Sequence, residues 1–136
     1  MRIPCALVTL AVLAVAGCGG DEEHANRDRP PVTINVTAAI VDGRVQVSPR
    51  RFGAGPIRLI VSNQMPTAQA LTLETGGNAS GVTGSTQPIT PAGTATLQMD
   101  VPEGDYELRA ADGAIEAAAV MVGAERPSAQ NELLLP

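Results

Sequence analysis

The chain of 136 residues has no lysine and no tryptophan, and its only histidine is His24. Its two cysteines, Cys5 and Cys18, both fall within the first 18 residues. Downstream of them there is no thiol and no route to a disulfide. From residue 25 onward no His, Lys or Cys is available to activate a serine; carboxylates remain for acid–base work, but the sequence singles out no pair. The glycine-rich stretch GGNASGVTGST (76–86) invites a phosphate-loop reading, but that motif needs a lysine to reach the phosphates. It reads as a loop with little to pack. Nine arginines face fourteen acidic residues, for a net charge of −5. That balance excludes a nucleic-acid partner, which requires a basic face. It also gives the polypeptide no attraction to anionic lipid. Phe52 and Tyr106 are the only aromatics, so a core must be assembled from Val, Ile, Leu, Ala and Met.

The first residues carry an apolar run, 3–17, interrupted only by Thr9 and preceded by Met1-Arg2. A transmembrane helix needs roughly 20 apolar residues, and this run is shorter. It has the length of a signal-peptide hydrophobic region followed by small residues. Val15-Ala16-Gly17-Cys18 resembles the lipobox of bacterial lipoproteins. The resemblance implies that residues 1–17 are a cleaved signal peptide and that Cys18 becomes the lipidated N-terminus. It places the protein on the extracytoplasmic side of a bacterial membrane, held through the lipid on Cys18. Two or three acyl chains make such an anchor stable. Residues 18–31, with GGDEEHANRDRPP, then form the lipidated cysteine and a polar tether.

Residues 32–40 alternate apolar and polar side chains, the pattern of a half-buried strand. Asp42-Gly43 is a hairpin signal, because a type I′ turn needs positive φ. Val45 and Val47 return, 49–55 reads as a turn, and 57–61 as a central strand ending near Asn63. A short strand follows at 70–74. Beyond the glycine-rich loop, Ala95, Leu97, Met99 and Val101 alternate, as do Tyr106, Leu108 and Ala110. Turns at Pro91-Ala92-Gly93, Pro102-Glu103-Gly104 and Asp112-Gly113 separate them, and 115–122 closes as a strand. Short strands punctuated by turn residues predict an all-β, antiparallel Greek-key sandwich over 32–123. Residues 124–136 are expected to form a loose tail. The carboxylates of Asp100, Glu103, Asp105 and Glu107 are expected to disperse around a solvated hairpin end rather than converge on a cation.

Two stretches together resemble cupredoxins: VQVSPRRFGAGPIRLIVSN (45–63) and ITPAGTATLQMDVPEGDYELRA (89–110). Strand, proline turn, strand ending in Asn, Pro-x-Gly-Thr, strand, Pro-x-Gly-x-Tyr and strand follow in cupredoxin order. The resemblance implies a cupredoxin-like sandwich. Cupredoxins that carry blue copper hold it with two histidines, a cysteine thiolate and a weak axial methionine. On the family pattern Gln69 or a neighbour stands at the first histidine, Ala110 near the cysteine and Gly113 near the second histidine. Met121 falls in the methionine region but within a predicted strand, where it is expected in the core. The fold carries over and the ligands do not, so no metal or other cofactor is expected.

The sequence thus points to a lipid-anchored, non-catalytic binding or scaffolding module, with an envelope protein as partner. The alternative is copper handling through thioethers, with Met65, Met99 and Met121 binding Cu(I).

Overall fold

The computed structural model describes residues 29–76 and 82–128. Cys18, the signal segment, His24 and residues 129–136 lie outside the described residues. Among the described residues there are eight strands: β1 (Ile34–Val41), β2 (Arg44–Ser48), β3 (Arg51–Asn63), β4 (Leu71–Thr75), β5 (Val82–Ser85), β6 (Thr94–Val101), β7 (Gly104–Ala110) and β8 (Ala118–Glu125). Among the described residues no helix is long and apolar enough to cross a membrane.

The hairpin expected at Asp42-Gly43 is there, with φ of 51° and 72°, as a type I′ turn requires. It joins β1 to β2, and Val36, Ala38, Ile40, Val45 and Val47 turn inward. Val32, expected on that same face, is 65% exposed and precedes the strand. Alternation then fills the space between two sheets. Ile57, Leu59 and Val61 come from β3, Leu71 and Leu73 from β4, Leu108 and Ala110 from β7, and Val120 and Val122 from β8.

β3 is the organising strand. Its second half lies between β1 and β6 in one sheet, ordered β2-β1-β3-β6. Its first residues, Arg51 to Ala54, pair with β8 in the other sheet, ordered β3-β8-β7-β4-β5. The register shifts at Gly53/Ala54, the kind of irregularity that lets one strand turn a corner between sheets. Residues 51–55, expected as part of a turn, are therefore strand.

The sheets are mixed rather than purely antiparallel. β1 with β3 and β3 with β8 are parallel. The cause is the crossing: after β2 the chain passes to the opposite sheet instead of turning back beside its neighbour. β3 then returns in the direction of β1. Within the stretch 76–86 read as a loop, Val82–Ser85 forms β5, which pairs with β4. Gly84 fits because Met99 presses close; a Cβ there would stand 2.6 Å from the Met99 methyl carbon. β8 starts three residues later than expected and runs to Glu125, so the first two residues of the expected tail are strand.

Tyr106, buried at the start of β7, donates its hydroxyl hydrogen to the carbonyl of Pro102 at 2.9 Å. This is a tyrosine corner, in which a buried ring is tied back to the turn it follows. Tyr106→Phe keeps the ring and deletes the bond, so it should lower stability by about 1 kcal/mol in denaturant titration with an unchanged m-value.

Candidate functional site

Strand directions sort the loops to two poles. At one pole lie the β1–β2 turn, the β3–β4 loop (64–70), the β5–β6 loop (86–93) and the β7–β8 loop (111–117). The β6–β7 turn lies at the other pole, together with the described N- and C-terminal segments.

Two neutral carboxamides fasten the first pole. Asn63 ends β3 and is fully buried. Its Nδ2 donates to the carbonyls of Thr67 at 2.8 Å and Ile89 at 2.9 Å, and its Oδ1 accepts the Met65 backbone N–H at 3.0 Å. Its own N–H donates to the Gly93 carbonyl at 2.9 Å. One side chain thus ties the β3–β4 loop to the β5–β6 loop. Gln69, 5% exposed, continues the array. Its Oε1 accepts the Asp112 N–H at 3.2 Å, and its Nε2 donates to the Thr67 hydroxyl at 3.1 Å. That adds the β7–β8 loop, which the Asp112 side chain shapes by accepting the Ala114 N–H at 2.9 Å. Thr86 Oγ1 accepts the Leu71 N–H at 3.0 Å. Among the described residues no buried side-chain polar atom lacks a partner.

The sequence-predicted positions can now be placed. Gln69 and the β7–β8 loop do come together, through the Gln69–Asp112 hydrogen bond. Ala110 is buried at the end of β7, paired with Leu71. Gly113 is exposed, with open space where a Cβ would stand. Ile115 is buried beneath that loop; sequence reading placed it in a strand and missed its place at the pole. These groups do not fit a blue-copper centre. Gln69 offers an amide whose oxygen and nitrogen are both engaged, and Ala110 and Gly113 offer no donor at all.

The three methionines do not converge. Met65 is half-buried in the β3–β4 loop. Met99 pairs with Ile57, six residues before Asn63 on β3, which is about 20 Å of strand. Met121, expected in the core, is 46% exposed on the outer face of β8. It points outward because Val120 and Val122 occupy the inward positions of an alternating strand. Asp100 lies exposed on β6 in one sheet, while Asp105 and Glu107 lie on β7 in the other. Glu107 is engaged with Arg109 at 2.5 Å. Among the described residues no three His, Cys, Asp or Glu side chains form a metal-binding group.

Asn63→Leu keeps the volume but strands two carbonyls and an N–H. It should cost about 3 kcal/mol, whereas Gln69→Leu, whose partners lie nearer solvent, should cost about 1 kcal/mol. Chemical denaturation of the two variants side by side checks the order.

No protein-family model matches the chain, and no curated protein sequence matches it. Solved structures do. Reduced auracyanin from Roseiflexus castenholzii is 13% identical, with a TM-score of 0.51, over 68% of this chain and 98% of that one. Auracyanin A of Chloroflexus aurantiacus, described as a "blue" copper protein, is 15% identical with a TM-score of 0.53, over 68% and 99%. Rusticyanin from Thiobacillus ferrooxidans is 13% identical with a TM-score of 0.53, over 70% and 86%. At these identities the likeness fixes the fold, which is a cupredoxin-like β-sandwich.

Proposed function

We propose that this cupredoxin-like sandwich is a lipid-anchored, extracytoplasmic module that binds or scaffolds a partner protein and does not carry copper or catalyse a reaction. The observation that carries this reading is the pole itself. Where the resemblance to copper proteins calls for imidazole and thiolate, this chain has Gln69, Ala110 and Gly113, and the Gln69 carboxamide is spent on holding loops. Loops fixed in this way lose little entropy when a partner docks, which favours binding. The anchor rests on the sequence: an apolar run of signal-peptide length, then Ala16-Gly17-Cys18, then a polar stretch. The non-catalytic reading rests on the lack of any His, Lys or Cys from residue 25 onward to serve an exposed serine.

Cys18→Ser should abolish lipid attachment and leave the precursor unprocessed in membrane fractionation. A cleaved, membrane-bound Cys18→Ser product would overturn the anchor. A photo-crosslinking residue at position 113 should yield one recurrent protein adduct in native membranes. Absence of any specific adduct there, together with stoichiometric Cu(I) binding lost on replacing Met65, Met99 and Met121, would favour copper handling instead.

A further inference from the structure

At the pole opposite Gln69, the C-terminal segment grips the N-terminal one. Arg126 follows β8 directly. Its Nε donates to the carbonyls of Gly53 at 3.0 Å and Ala54 at 3.2 Å, its Nη2 to that of Pro56 at 2.7 Å, and its Nη1 to that of Val32. Its backbone N–H donates to the Ala54 carbonyl at 3.1 Å. Two residues on, the Ser128 hydroxyl donates to the Arg29 carbonyl at 2.6 Å. The surroundings are cut to fit. A Cβ at Gly53 would stand 2.6 Å from Arg126 Cγ and 2.8 Å from the Ala124 carbonyl oxygen. Gly55, at φ +123°, lets Arg126 Nη2 and the ring of buried Pro31 approach to 3.0 and 3.3 Å of its Cβ position. A planar guanidinium with a fixed fork suits four carbonyls from two separate segments, and an ammonium does not.

We propose that Arg126 is a strap that fastens the N-terminal stem, residues 29–32, to the base of the sandwich, so that an anchor upstream holds one fixed pole and the Asn63–Gln69 loops face away from the membrane. The orientation rests on the lipid-anchor reading; the strap does not. Ten residues, 19–28, separate Cys18 from Arg29, so the fastened stem lies within about 40 Å of the anchor. Freeing the stem back to Ile34 adds five residues, about 17 Å of further reach.

Backbone NMR relaxation on the purified full chain tests the strap. In Arg126→Ala the 15N order parameters of Val32 and Thr33 should fall from the rigid-backbone range of about 0.85 to below about 0.6, with β4 and β7 unchanged. Arg126→Lys, milder and still cationic, should behave as Ala does and serves where Ala prevents folding. Unchanged order parameters at 32–33, or an equal fall throughout, overturn the strap. For orientation, the lipidated chain carrying a fluorophore at Glu103→Cys or Gly113→Cys is placed in vesicles with a headgroup-linked quencher. The label at 103 should be quenched more than that at 113, and Arg126→Ala should narrow the difference. Equal quenching in the otherwise native chain overturns the orientation. A chain that does not enter vesicles refutes the anchor, while the relaxation result still decides the strap.

Discussion

The double membership of β3 is the constraint on which the rest of the structure depends. One strand of 13 residues serves both sheets, and the bend at Gly53–Gly55 is where it changes allegiance. Because it returns parallel to β1, it carries Asn63 to the pole where the β3–β4 and β5–β6 loops share it as a partner. Because its bend exposes the carbonyls of Gly53, Ala54 and Pro56, Arg126 has something to hold. The two polar arrays, one at each end, are thus consequences of one backbone path. Backbone carbonyls outside a regular ladder need donors, and the chain supplies a carboxamide at one pole and a guanidinium at the other.

Much of this path was legible in the sequence, and its failures have a common cause. Period-two alternation located β1, β2, β6 and β7, and Asp42-Gly43 fixed the first hairpin, because burial on one face leaves that pattern. The resemblance over 45–63 and 89–110 supplied the cupredoxin-like order. Misplaced segments were those whose pairing is set by distant backbone rather than by their own side chains. Residues 51–54 look like a turn because Gly53 and Gly55 sit there, yet they pair with β8. Residues 82–85 look like a loop because they are small, yet β4 offers them a ladder. Parallel pairing between β1 and β3 could not be read at all, since it follows from where the crossing goes.

At the pole the sequence was informative about chemistry and silent about geometry. That Gln69, Ala110 and Gly113 cannot form a blue-copper site follows from their functional groups alone. That Gln69 reaches Asp112, 43 residues away, requires the fold. Asn63 had a weak signal, an Asn closing an apolar strand, but its full burial and three side-chain hydrogen bonds became visible only with the loops in place. Arg126 had none: its sequence neighbours are Glu125 and Pro127, in a stretch that reads as tail.

The two ends obey the same rule with different groups, and the composition explains why they matter. With only Phe52 and Tyr106 as aromatics, the core is aliphatic and each buried Val, Leu or Ile contributes roughly 1.5–3 kcal/mol. Such a core fixes the strands and reaches the loops at only a few points, Ile89 and Ile115 among them. Polar groups supply further loop order. A neutral carboxamide can be buried whole at Asn63 because both its donors and its acceptor find backbone partners, at no charge-desolvation cost. Arg126 is half-buried near the surface, with Nε, both Nη nitrogens and the backbone N–H committed to carbonyls. The first pole is accordingly fastened at depth by neutral carboxamides, and the second by a half-buried guanidinium.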